Sequence, residues 1–172
     1  NEWRWLCNDF PSTWREFPQA MWQGEDLADK TILVWSEQGV GDEIMFANTL
    51  PELVQNAEKV IIECNDRLVP VFERSFDSVT AVARQEPPDS KIENAAADFQ
   101  IPIGSICKFY RKSVEEFPSD RAGYLTADSD LTAEIKARYA ALGDGMKVGI
   151  SWRSGNPIVG HQRSIPLEFW DE

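Results

Sequence analysis

Apolar residues in this chain gather in short blocks of strand length, and most blocks are followed by a stretch of helical character. Residues 31–36 (Thr-Ile-Leu-Val-Trp-Ser) form a compact apolar run, the pattern of a parallel strand buried on both faces. Residues 59–64 are a second strand, 78–82 a third that is short and β-branched, and 98–103 a fourth strand-like run. Between the blocks the pattern predicts helices. One begins near Ile44 and breaks before Pro51, which opens the next helix and is tolerated in a first turn. Asp66 is placed to cap a third, which carries Pro70 in its opening turn. Residues 84–94 are polar and contain Pro87-Pro88, which predicts a surface loop. A helical turn is expected over 105–110, a short extended piece at Tyr124-Leu125, and a helix over 131–142 ended by Gly143-Asp144-Gly145. Residues 148–152 are expected as a last strand, with the first turn of a helix at 166–172. Strands alternating with helices predict an α/β fold, a Rossmann-like doubly wound parallel sheet.

Residues 1–24 break the alternation. They are rich in rings (Trp3, Trp5, Phe10, Trp14, Phe17, Trp22) and are interrupted by Pro11 and Pro18. Such a segment has no core of its own and is expected to pack its rings onto something larger. Three regions are therefore expected: an aromatic lead-in over 1–30, a Rossmann-like domain over 31–145, and the opening of a second domain over 146–172.

Composition narrows the chemistry. A formal net charge of -12 over 172 residues argues against a broad nucleic-acid surface and against binding to anionic membranes. No apolar run reaches transmembrane length. Cys7, Cys64 and Cys107 are widely spaced, outside any CxxC pattern and odd in number, as expected of reduced thiols in a cytoplasmic protein. With one His and scattered Cys, no metal site is expected.

Two places carry candidate chemistry. The turn after the first predicted strand reads Glu37-Gln38-Gly39-Val40-Gly41-Asp42. In parallel α/β sheets ligands bind beyond the C-terminal strand ends, so the backbone of Gln38, Gly39 and Gly41 is expected on the ligand side. Glycines there permit close approach and positive φ. Asp42, at the start of the following helix, is a general base for a substrate hydroxyl or a plain helix cap. A dinucleotide fingerprint is not supported, since Ile44 stands where GxGxxG needs its third glycine. The second place is residues 146–167, which hold no Asp or Glu but carry Arg153 and Arg163 around Ser154, Gly155 and Asn156. Either this cationic island binds an anion, most simply a phosphate, or it is a solvated loop paired with acidic neighbours.

Taken in order, these segments resemble the heptosyltransferase-like glycosyltransferases (family 9 type, GT-B fold), in particular the variety that follows tetratricopeptide repeats in bacterial proteins. Trp22-x-Gly24-x-Asp26-Leu27 is similar to the family's W-x-G-x-x-L lead-in. Residues 37–47 are similar to its EQGxGDxxxFA signature, and Leu50-Pro51-x-Leu53 to its LPxL. Residues 101–105 resemble PLxSL, and Gly123-Tyr124-Leu125 resembles PYL. Residues 148–156 resemble VGxxWxGN, and 163–167 match RSIPL. Glu2-Trp3-Arg4 resembles the exit of a repeat array.

The resemblance implies the N-terminal, acceptor-side half of a GT-B fold, with the chain stopping early in the donor-binding half and repeats preceding it in cis. It implies metal-independent transfer from a nucleotide-sugar, as substrate rather than cofactor, to an acceptor hydroxyl. Asp42 would be the base and Arg163 the cation on the donor diphosphate, with Arg153, Ser154 and Asn156 beside it. The isolated polypeptide is expected to be inactive or nearly so. Two alternatives stay open: a non-catalytic binding or scaffold module derived from such a fold, and a small self-contained nucleotide- or phosphate-binding Rossmann domain.

Overall fold

The computed structural model describes residues 2–119, 123–156 and 160–170. These fall into two compact units, Asn1–Asp128 and Ser129–Glu172. The division comes before the helix that precedes Gly143, upstream of the boundary expected between residues 145 and 146.

The first unit is an α/β layer structure around one five-stranded, all-parallel sheet. Its strands are β1 (Ala20–Met21), β2 (Thr31–Trp35), β3 (Lys59–Cys64), β4 (Val79–Ala83) and β5 (Phe99–Pro102), in the order β1-β5-β2-β3-β4. The helices are α1 (Val40–Phe46), α2 (Leu50–Asn56), α3 (Val69–Ser75), α4 (Ser90–Asn94) and α5 (Cys107–Tyr110). This is the Rossmann-like doubly wound arrangement. Four of the strands lie where the apolar blocks predict them, to within a residue or two. The edge strand β1 is an addition. It lies inside the aromatic lead-in and pairs with β5 through Ala20 opposite Phe99.

Alternation along the strands divides the core in two, because successive side chains point to opposite faces. Ile32, Val34, Val60, Ile62 and Ile101 face one side, where Phe46, Leu50 and Leu53 from α1 and α2, Phe72 from α3 and Ile106 cover them. Leu33, Ile61 and Val82 face the other, where α4 supplies Ile92. Trp35 and Glu63 are register partners on β2 and β3 and extend this second face. The lead-in covers it. Trp5 and Trp14 pack on the Trp35 ring at 5.6 and 5.4 Å between centroids, in tilted and edge-on geometry. A chain segment without a core of its own thus does the work of a missing helix.

Several local expectations are corrected. The polar stretch after β4 holds α4, because the Asp89 carboxylate accepts the Lys91 N–H at 2.8 Å and Ile92 supplies a buried anchor. Asn65, not Asp66, caps the 3-10 turn leading into α3. It sits in extended backbone, and its side chain reaches the Arg67 N–H.

In the second unit, α6 (Ser129–Ala140) forms as expected and Gly143 ends its last turn at φ +93°. Residues 148–152 are not a strand. A strand needs a ladder partner for its N–H and C=O groups, and among the described residues none pairs here; Val148 is 76 % and Ile150 59 % exposed. The helical turn expected at the C-terminus is a short 3-10 turn, Leu167–Phe169, and the final two residues lie outside the described ones.

Candidate functional site

Beyond the C-terminal ends of β2, β3 and β4 lies a polar cleft of about 560 Å³. Ser36, Asn65 and Arg84, each just past its strand, form its floor; Gln38 comes from the β2–α1 connection and Glu43 from α1. Ser12 and Thr13 of the lead-in close the other wall. This is the position where open α/β sheets place their ligands.

The β2–α1 turn has a definite local logic. Gln38 takes a left-handed conformation, φ 62°, and donates its N–H to the Ser12 hydroxyl. The positive φ expected of Gly39 or Gly41 therefore falls on Gln38. Gly39 is the extended N-cap of α1 at φ -104°, and a Cβ on Gly41 would meet nothing within 4 Å. Asp42 is the third residue of the helix. Its Oδ2 accepts the Gly39 N–H at 3.1 Å, the one half of a capping box open to a glycine N-cap, which has no side chain. The N-cap expected of Asp42 is therefore Gly39; Asp42 holds the N–H of that cap from the third helical position and does not line the cleft.

Glu43, the next residue, does. It is only 4 % exposed, and its Oε2 accepts the Asn65 N–H at 2.9 Å. Burial raises its carboxyl from the ordinary range to about 7; the Asn65 N–H and the positive charges of Arg84 and Arg67 pull it partway back, and Asp42 adds to the rise. A carboxyl in a cleft that is half ionised near neutral pH suits proton transfer. Arg84, on the floor of the cleft, is anchored by donating to the Ser36 carbonyl at 2.5 Å. Sequence reading passes over both residues. Glu43 is hidden beside an Asp in a motif, and Arg84 opens what reads as a loop. The neighbouring Cys64 thiol is pushed up to about 12, chiefly by burial and then by Glu43, so it is no nucleophile.

The first residue of the same motif has a different task. Glu37 is fully buried at the topological switch point, where β2 and β5 lie side by side and the strand order reverses. Arg4 meets it with two hydrogen bonds, Nε to Oε2 at 2.6 Å and Nη2 to Oε1 at 2.5 Å. The Gly104 N–H donates to Glu37 Oε1 at 2.8 Å, and Arg4 Nη2 also reaches the Ser105 hydroxyl at 3.0 Å. The crevice at the switch point is thus filled by the chain's own Arg4. A second buried pair, Arg15 with Glu63, ties the lead-in to β3, and Arg15 also donates to the Gln85 carbonyl at 3.1 Å.

In the second unit the cationic residues share one neighbourhood. Arg153, Ser154 and Arg163 border a cleft of about 280 Å³ with Trp152. Arg153, Ser154 and Asn156 border a larger one, about 790 Å³, with His161. The Ser164 hydroxyl organises this loop by accepting the Ser154 N–H at 2.9 Å and donating to the Gly160 carbonyl at 2.6 Å. A Cβ on Gly160 would come within 2.8 Å of the Ser154 carbonyl oxygen, so close packing requires glycine there. The four residues expected around a phosphate are therefore neighbours, on exposed loops and a 3-10 turn (Gly160–Arg163).

Among the described residues no group of His, Cys, Asp and Glu is arranged to hold a metal ion, and no helix is long and apolar enough to cross a membrane. All three cysteines are free.

Among curated proteins the chain is similar to Protein FlbA of Caulobacter vibrioides, at 34% identity over 169 residues. The match covers 91% of this chain and 28% of that relative, so the chain spans little more than a quarter of the relative's length. No family model matches the chain, and no solved structure matches it.

Proposed function

We propose that this chain is the acceptor-side part of a metal-independent, GT-B-type glycosyltransferase acting in the cytoplasm. A sugar passes from a nucleoside-diphosphate donor to an acceptor hydroxyl. A carboxylate at the start of α1, where the resemblance implies Asp42, receives the hydroxyl proton. Arg163, with Arg153, Ser154 and Asn156 near it, offsets charge on the leaving diphosphate. The observation that carries the proposal is the polar cleft beyond the strand ends, which holds a buried carboxylate beside the Gly39–Asp42 turn. Support also comes from the loop that gathers Arg153, Ser154 and Arg163.

A second function is favoured by one specific observation. The crevice at the switch point is occupied by Arg4 on Glu37, which suits a binding or scaffold module that has given up ligand there. The test is nucleotide release by the full-length protein from UDP-, GDP- and ADP-sugars, with and without fractionated cell extract as the source of acceptor. Transfer predicts release that depends on extract and disappears in an Asp42→Asn/Glu43→Gln double variant. Absence of release from all three donor classes leaves the scaffold function.

A further inference from the structure

The two carboxylates that open α1 are not equivalent, and the difference separates their roles. Asp42 turns back onto its own turn and holds the Gly39 N–H at 3.1 Å. Glu43 is 96 % removed from solvent, yet it forms part of the cleft wall. A carboxylate has room for about four hydrogen bonds, and the Asn65 N–H takes one of them at 2.9 Å. Around it stand hydroxyls and amides from three other segments: Ser12 and Thr13 of the lead-in, Ser36 after β2, and Gln38 in the turn. No aliphatic or aromatic side chain other than that of Pro11 lines this space. Asp66, Arg84 and Glu86 line it as well. Polar and charged donors and acceptors around a carboxylate fit a ligand whose surface is mostly hydroxyl.

We infer that Glu43 is the residue that binds and deprotonates the acceptor hydroxyl, that the acceptor is a saccharide, and that Asp42 is the positioning residue that holds the turn. This rests on the transferase function proposed above. In the step, the acceptor O–H bond breaks and its proton moves to Glu43. The freed oxygen pair forms the new bond to the donor's anomeric carbon. The bond from that carbon to the diphosphate oxygen breaks, and its electron pair leaves with the nucleoside diphosphate. Glu43 returns its proton to water when the product departs.

The charged groups around Glu43 set the pH response. Arg84 and Glu86 follow β4, Arg67 and Asp66 follow β3, Cys64 ends β3, and Asp42 is on the same helix. Burial dominates and keeps the carboxyl near 7. A sugar hydroxyl donates a stronger, charge-assisted hydrogen bond to the ionised form than to the neutral acid, so saccharide held by this bond should lower the Glu43 midpoint. By linkage, saccharide must then bind more tightly as pH rises through 7.

The test uses the 172-residue chain with methyl β-glucoside, methyl β-galactoside and methyl β-N-acetylglucosaminide as probes. The Glu43 side-chain carboxyl is followed by carbon NMR and assigned by its loss in Glu43→Gln. At least one probe should lower the Glu43 midpoint, and its affinity should rise about three- to tenfold from pH 6 to pH 8, where one pH unit allows at most about tenfold. Glu43→Gln can still accept the Asn65 N–H through its amide oxygen, so it folds. It should bind the probe more weakly and without pH dependence. A carboxyl that titrates identically with and without every probe overturns the assignment, as does pH-dependent binding that survives in Glu43→Gln. Two results separate this inference from the function beneath it. Nucleotide release by the full-length protein that persists in Glu43→Gln overturns the role of Glu43 and leaves transfer standing. Glu43-dependent saccharide binding without any nucleotide release overturns transfer and leaves a saccharide site.

Discussion

Arg4 and Glu37 are 33 residues apart in sequence and form a two-point ion pair at the sheet's switch point, the carboxylate fully buried and the guanidinium nearly so. Glu37 also accepts the Gly104 N–H, so the pair joins the lead-in, the end of β2 and the end of β5 in one hydrogen-bonded knot. A buried pair of this kind is weak evidence for net stability, since desolvation offsets much of the attraction, but removing one partner leaves a charge stranded.

Arg4→Ala should therefore destabilise the first unit by about 3–5 kcal/mol, read as a lower midpoint in urea. Gly104→Ala tests the same knot from the other side. A Cβ there would lie 2.6 Å from Glu37 Oε1, so this substitution should also destabilise. A loss under about 1 kcal/mol in Arg4→Ala would mean that Glu37 finds water or another partner, and that the lead-in is not clamped at this point.

Glu43 gives a stability signature of definite sign. Its folded value, about 7, lies above the ordinary 4.5. The folded chain then holds this proton more tightly than the unfolded chain does. The contribution is complete below 4.5 and is lost as pH rises from 4.5 through 7. At roughly 1.4 kcal/mol per unit, the loss is on the order of 1–3 kcal/mol. Glu43→Gln should match the wild type near pH 4.5 and exceed it above pH 7 by that amount, in denaturation curves taken at both values. Equal stability of the two proteins at pH 8 would show that Glu43 is not desolvated in solution.

Gln100 is the polar residue at the centre of the second sheet face. Its Oε1 accepts the Trp35 indole N–H at 2.7 Å, and its Nε2 donates to the Phe17 and Gln19 carbonyls, each at 3.3 Å. Gln100→Leu should cost about 1–3 kcal/mol by stranding the buried indole N–H. It should also loosen the lead-in, which should appear as faster amide exchange at residues 17–22. Unchanged exchange there would separate the lead-in's docking from Gln100.

The 172-residue chain should bind nucleoside diphosphates only near millimolar, or about 4 kcal/mol. Arg153 and Arg163 are both exposed, and solvent and salt screen exposed charge contacts. Arg163→Ala should weaken the binding further, by calorimetry at low salt. Micromolar binding by this chain would point instead to a self-contained nucleotide-binding domain.

Much of the fold is legible in sequence, and for a local reason. Residues 32–35 and 60–62 are apolar on consecutive positions, the pattern of a strand covered on both faces, and their spacing leaves room for a helical crossover. The Gly39–Asp42 turn is legible because its residues carry the loop and cap chemistry themselves. Glu43 and Arg84 are not legible as a pair. They are 41 positions apart, and only the parallel register of β2, β3 and β4 brings the ends of those strands to one cleft. The strand expected over 148–152 shows the same limit, because an apolar run becomes a strand only when a neighbour supplies its ladder.

The sequence by itself determined what short-range physics decides: the period of the apolar blocks, the turns that separate them and the class of fold they assemble. Tertiary structure alone decided how the lead-in is used. Arg4, Arg15, Trp5 and Trp14 lie in a ring-rich segment whose sequence predicts packing but neither the surface it covers nor the partners that hold it. They become the cover of one sheet face because Glu37, Glu63 and Trp35 lie there unmet by any helix. Tertiary structure also separated two adjacent carboxylates. Asp42 and Glu43 differ by one methylene and one position, but a 100° step around a helix turns the first back to its cap and the second into the cleft. Burial, which no single residue encodes, then raises only the second toward neutral pH.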